Sequence, residues 1–167
     1  MQKTARRVKA GEHRADGYRE RLGPSLWILV AAALAAPMAA LVFTPVDKTL
    51  ALVVGGVVGV AVIALLMLAA PRVEVSDDVL WAGPAHIDVR FLGEPEAFTG
   101  DAARHARGAG LDPRSWHLIR GGVDGLVVIP VTDPDDPTSS WVISSRTPDR
   151  LVAAVRRAQL RPRTLGR

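Results

Sequence analysis

Cysteine is absent from the 167 residues. Disulfides, thiolate metal sites and a thiol nucleophile are therefore excluded. Aromatic side chains make up only 5% of the chain, with a single tyrosine. His13, His86, His105 and His117 stand apart without metal-ligand spacing, so no metal site and no cofactor are expected. A nucleic-acid binder would show a basic face interleaved with aromatics, and none is visible. Charge is missing altogether from two stretches, Leu26 to Phe43 and Leu50 to Ala70, which are separated only by Thr44-Pro-Val-Asp-Lys-Thr49. As helices these runs are about 27 and 31 Å long, against about 30 Å of bilayer hydrocarbon. Neither contains the ionisable residue that marks an ion or proton path, which speaks against a transporter.

The charges that are present lie outside the runs. Lys3, Arg6, Arg7, Lys9, Arg14, Arg19 and Arg21 precede the first run, against Glu12, Asp16 and Glu20. Basic flanks stay on the cytoplasmic side, so the N-terminus is expected inside, and two spans return the chain to the same side. Residues 1–24 then form a basic cytoplasmic arm, residues 25–71 a transmembrane hairpin with spans at about 26–43 and 50–70, residues 72–160 a cytoplasmic β-rich domain, and residues 161–167 a basic tail. The location that follows is the inner cell membrane, with both termini cytoplasmic. Tyr18 and Trp27 are expected at the inner interface. Pro24 suits a first helical turn, Pro37 a mid-span kink, and Pro45 the end of the first helix. A cleaved signal peptide is the rival reading, since a basic arm, an apolar stretch and Ala33-Leu34-Ala35 loosely match that pattern. The length of the arm and the continuation of the apolar run favour a retained span.

Small residues recur every fourth position, as Ala31, Ala35 and Ala39 in one span and Ala51, Gly55 and Gly59 in the other. Such ridges let helix backbones approach closely. They serve either a homodimer or the packing of the two spans on each other, and the six-residue turn favours the second.

Beyond Ala70 the pattern changes to short alternating segments. Val73 and Val75 lead to a Ser76-Asp77-Asp78 turn, Val79-Leu80-Trp81 leads to Gly83-Pro84, and Ile87, Val89 and Phe91 alternate with polar residues. Gly93 to Gly110 reads as a connection holding a short helix at Asp101 to Arg107. Strands are predicted at 115–120, 123–131 and 140–146. Thr147 as N-cap and Pro148 at the first position open a helix to about Gln159, with Leu151, Val152, Val155 and Ala158 on one face. The expected fold is a membrane α-helical hairpin plus a small mostly-β domain of about six antiparallel strands and one C-terminal helix. That order resembles bacterial pleckstrin-homology-like domains.

Tyr18-Arg-Glu-Arg21, the two spans, Leu111-Asp-Pro-Arg114, Arg120, Asp133-Pro-Asp-Asp-Pro-Thr138 and Trp141-Val-Ile-Ser-Ser-Arg-Thr-Pro148 are together similar to an actinobacterial family of two-span membrane proteins of unknown function. The arginine-rich, lysine-poor composition agrees with a high-GC genome. The family pattern commonly has an aromatic just before the tryptophan, where this chain has Ser139-Ser140. The resemblance implies no activity.

Asp133, Asp135 and Asp136 lack the central glycine and distal glutamate of a calcium loop, and the interleaved prolines make them a rigid turn. Ser144 and Ser145 lack the glycine-flanked turn of a serine nucleophile, and no catalytic residue is predicted. Arg114, Arg120, Arg146 and Arg150 beside Trp116 and Trp141 are the candidate ligand or partner face, suited to phosphate or carboxylate. Pairing with Asp112, Asp133, Asp136 and Asp149 is the plainer reading of those arginines. Tail arginines from Arg156 to Arg167 would attract anionic lipid head groups. The expected function is noncatalytic binding or scaffolding with an unidentified protein partner at the membrane. The alternatives are an accessory subunit acting through its transmembrane helices, and a membrane-bound enzyme.

Overall fold

The computed structural model describes residues 17–161. Lys3, Arg6, Arg7, Lys9, Arg14, His13, Arg163 and Arg167 lie outside the described residues. Strand β1 (Tyr18–Arg21) comes first, followed by α1 (Leu26–Ala33), α2 (Ala35–Phe43) and α3 (Lys48–Leu68). Strands β2 (Arg72–Ser76), β3 (Val79–Ala82) and β4 (Ala85–Asp88) lead to a 3-10 turn at Val89–Phe91. The chain then forms β5 (Glu96–Phe98), α4 (Gly100–Ala106), β6 (Trp116–Leu118), β7 (Leu126–Pro130), β8 (Ser140–Ser144) and α5 (Pro148–Gln159).

The first apolar run forms α1 and α2, broken at Leu34. Pro37 is the cause: it has no N–H for the Ala33 carbonyl four residues back, and its ring crowds that turn. Ser25 caps α1, so Pro24 sits before the cap rather than in the first turn. Asp47 caps α3 by accepting from the Leu50 N–H at 2.7 Å. Together α1 and α2 span 18 residues and α3 spans 21, and both are long and apolar enough to cross a membrane. Only 6% and 17% of their apolar windows are buried within the protein, so they are not core helices of the β domain.

The packing of α3 on α2 uses the predicted glycines. Ala51, Gly55 and Gly59 are the buried residues of α3. A Cβ on Gly55 would meet the Ala36 carbonyl at 2.8 Å and the Ala40 Cβ at 2.9 Å, and one on Gly59 would meet the Ala36 Cβ at 2.9 Å. The ridge on the first span is therefore Ala32, Ala36 and Ala40, not Ala31, Ala35 and Ala39. The break at Leu34 makes a spacing count along that span a poor guide to which face turns inward.

The β domain has two four-stranded sheets, ordered β1-β2-β3-β4 and β5-β7-β8-β6. Its first strand lies upstream of the hairpin. Tyr18 pairs with Val75 and Arg21 with Arg72, and the Leu22 N–H continues the ladder to the Pro71 carbonyl at 2.9 Å. The domain does not begin at residue 72, and the hairpin is an insertion between its first two strands. Two further expectations change. β6 runs parallel to β8, so the strands are not all antiparallel. Val89–Phe91 is a 3-10 turn rather than a strand extension, because Asp88 caps it by accepting from the Arg90 N–H.

Asp77 and Asp78, with φ of 50° and 60°, make the two-residue β2–β3 turn, a left-handed pairing that aspartate tolerates. The main core packs Val73, Val75 and Leu80 of the first sheet and Val127, Ile129, Trp141 and Ile143 of the second around Leu151, Val152 and Val155 of α5. On the far side of the second sheet, Leu126 and Val142 pack against Ala103 of α4. That sheet is covered on both faces, which is why β8 is buried almost throughout rather than on alternate residues.

Candidate functional site

The most connected polar group in the structure joins β1 to the segment after β8. Glu20 points inward from β1, and its carboxylate accepts from the Ser145 hydroxyl at 2.7 Å, from the Arg146 backbone N–H at 2.8 Å and from the Tyr18 hydroxyl. Tyr18 also contacts the Ser145 and Thr147 hydroxyls at 3.0 and 3.1 Å. Burial, reinforced by the Glu20 carboxylate, raises the Tyr18 phenol above its usual range. Ser145 is fully buried and also accepts from the Thr147 N–H. Thr147 therefore precedes α5 as predicted, but its side chain does not cap the helix. Tyr18 lies in the sheet with its hydroxyl turned onto Ser145 and Thr147 of the domain. Trp27, in the first turn of α1, is 82% exposed. A serine hydroxyl bonded to a carboxylate resembles part of a nucleophile pair, but every atom of Glu20 and Ser145 named here is engaged in holding strand to strand.

The guanidinium of Arg146 continues from this cluster to the hairpin foot. It donates to the Arg21 and Gly23 carbonyls at 3.2 and 3.4 Å, where the chain enters α1. Arg120 donates to the Ala69 carbonyl at 3.3 Å and Arg21 to the Met67 carbonyl at 3.5 Å, both where α3 ends. Guanidinium groups suit a helix C-terminus, whose last carbonyls lack partners and carry partial negative charge. The Arg120 backbone N–H donates to Ser144 Oγ at 3.0 Å, while its Nε is buried without a partner.

The predicted arginine and tryptophan face is thus divided. Arg120 and Arg146 meet at the hairpin foot. Arg114 lies beyond the opposite end of β6, exposed and 3.8 Å from Asp112. Arg150 is exposed on α5. Trp141 is a core residue, and Trp116 packs beside it with ring centroids 4.4 Å apart. Of the predicted salt bridges, Arg114 with Asp112 is the one among the described residues. Arg120 and Arg146 bond main-chain carbonyls instead.

The two aspartate-proline motifs build turns at that opposite end. Asp112 accepts from the Arg114 N–H at 2.8 Å, which with Ser139 holds its carboxyl below the usual range. Asp136 accepts from the Thr138 N–H at 2.8 Å, and the Thr138 side chain and N–H lower its carboxyl likewise. Asp133 accepts from the Asp135 N–H. Among the described residues no group of three metal-ligating side chains converges. Beside these turns opens a cleft of about 600 Å³ between α4 and the second sheet, floored by Phe98, Ala102, Ala106, Val128 and Val142, with Asp101, His105 and Asp112 at its mouth. An apolar floor under a polar rim suits an apolar side chain of a partner. Sequence reasoning missed this cleft because its floor is assembled from β5, α4, β7 and β8. The Ala102 and Ala106 spacing on α4 was the one local signal.

The fold and these junctions define a class: a small two-sheet β domain with an apolar helical hairpin inserted between its first two strands. The chain belongs to the family described as "Protein of unknown function (DUF3093)", which matches residues 17–155. The match begins at β1 and ends within α5, so it covers the discontinuous domain together with its insertion. No curated protein and no solved structure matches the chain.

Proposed function

We propose that the chain is a two-pass membrane protein whose β domain is a noncatalytic binding or scaffolding module on the cytoplasmic side of the inner cell membrane. The observation that carries this reading is the pairing of β1 with β2 across the hairpin. Residues joined by strand hydrogen bonds lie on one side of a bilayer, so the flanks of the two apolar helices share a side. The basic N-terminal flank makes that side the cytoplasm. Cleavage within the first span would detach Tyr18–Arg21 from the sheet, which argues for a retained anchor. Two sheets closed by a C-terminal helix support the resemblance to pleckstrin-homology-like domains, from which the parallel β6–β8 pair departs. The polar residues with the look of a reactive group are engaged in joining β1 to β8, and this favours recruitment over catalysis.

The recruiting surface in this reading is the cleft beside α4. The test is capture of crosslinked partners from native membranes with the full chain and with an Ala102→Trp variant, which fills the cleft from an exposed helical position. Loss of a protein partner from the variant is the expected result. Identical sets would move the function to the apolar helices, as in an accessory subunit. Truncation after Pro71 is the poorer control, since it leaves β1 without a partner strand.

A further inference from the structure

Arg21 and Arg72 are directly opposite each other in the antiparallel β1–β2 pair, on the exposed face of the sheet. Like charges so placed repel, and a sheet avoids them unless something offsets the repulsion. Neither has a carboxylate within ion-pair distance among the described residues, and neither does Arg120. The guanidinium groups of Arg21 and Arg120 each donate once, to carbonyls of Met67 and Ala69 in the last turn of α3 and just beyond it, and each has five N–H groups. The Nε of Arg120 is buried with no acceptor at all. Three guanidinium groups with no carboxylate partner and at most one hydrogen bond each therefore gather where the hairpin joins the domain, beside that of Arg146, which donates twice, and this is the depth at which phospholipid phosphates lie if α1–α3 cross a bilayer.

We propose that Arg21, Arg72 and Arg120 form a binding site for the phosphate of an anionic phospholipid head group at the foot of the hairpin. The inference rests on the membrane-hairpin reading above. A phosphate oxygen bridging Arg21 and Arg72 removes the cross-strand repulsion, and the free guanidinium edges supply the paired donors that phosphate recognition uses. The spans hold the site at head-group depth, so the lipid needs no movement of the domain to reach it.

The experiment is thermal melting of the purified full chain in neutral detergent, titrated separately with short-chain phosphatidylglycerol, short-chain phosphatidylcholine and inorganic phosphate. A saturable rise in melting temperature with phosphatidylglycerol alone is expected. Arg72→Gln, at an exposed position whose side chain makes no hydrogen bond to the fold, is expected to weaken that effect about fivefold, corresponding to ~1 kcal/mol for one arginine near an anionic surface. The combined Arg21→Gln, Arg72→Gln and Arg120→Gln variant is expected to lose it. Equal responses to both lipids, or an Arg72→Gln affinity equal to that of the parent, would overturn the site. The same rise with inorganic phosphate would make it a free-anion site and overturn the lipid assignment. Retention of the chain in carbonate-washed membranes separately tests the hairpin, so failure of the site is distinguishable from failure of the anchor.

Discussion

Glu20 shows how one inward carboxylate can hold a strand that has little apolar surface of its own. β1 contributes Tyr18 and Glu20 inward and exposes Arg19 and Arg21, so its attachment depends on hydrogen bonds as well as on its ladder with β2. Removing the acceptor leaves the Arg146 N–H without its partner and the buried Ser145 hydroxyl with only the Tyr18 hydroxyl to donate to, and losing hydrogen bonds to a charged acceptor costs about 1–3 kcal/mol. Glu20→Ala is expected to lower the denaturant midpoint accordingly, while Arg19→Ala, which breaks an exposed pair with Glu74, is expected to change it by under ~1 kcal/mol. The single tyrosine gives a direct readout of the same cluster. Its ionisation, followed by tyrosinate absorbance, is expected above the ordinary value of about 10, and Glu20→Gln is expected to lower it. Because the folded phenol titrates above the unfolded one, its contribution to stability is complete below about pH 10 and is lost as pH rises through the folded value. Asp112 and Asp136 behave in the opposite sense. Their carboxyls are depressed in the fold, so the stability they add is present above about pH 4 and is lost as pH falls through their folded values.

At the level of elements, α3 has two kinds of glycine. Gly55 faces Ala36 and Ala40 closely, whereas a Cβ on Gly56 would meet nothing within 4 Å. Gly55→Leu is expected to destabilise the hairpin by about 1–3 kcal/mol in SDS titration, and Gly56→Leu to leave the midpoint near its starting value. The strands that were legible in the sequence are those with a clean inward and outward alternation, β2 with Val73 and Val75 being the clearest. β1 was hidden because one of its inward residues is charged and its partner lies some fifty residues away, beyond both apolar helices. β5 has only three residues, with Glu96 and Ala97 exposed, so no pattern marks it. The amphipathic face of α5 was readable because four apolar side chains at helical spacing have no other reading. The candidate arginine face failed for a geometric reason: β6 separates Arg114 from Arg120, and a strand carries residues at its two ends away from each other. The spacing of basic residues along a chain says little about convergence until strand directions are known.

For the whole molecule, the hairpin and the β domain are separable in structure but interleaved in sequence. Since Leu22 and Pro71 are already neighbours in the ladder, replacing residues 23–70 by an Asn-Gly turn should close β1 onto β2 directly. The shortened chain is expected to fold without detergent, with dispersed amide resonances and a monomeric elution volume. A chain that elutes as an aggregate would mean the domain depends on its insertion. In the intact chain the order of synthesis adds a constraint. β1 leaves the ribosome about fifty residues before the strand that completes it, and both apolar helices are made in between. A nascent chain that inserted only one of them would strand β1 on one face of the bilayer and β2 on the other, and the sheet could not close. Under the proposed two-span topology, completion of the domain would act as a proofreading step on membrane insertion, leaving misoriented chains unfolded and open to degradation.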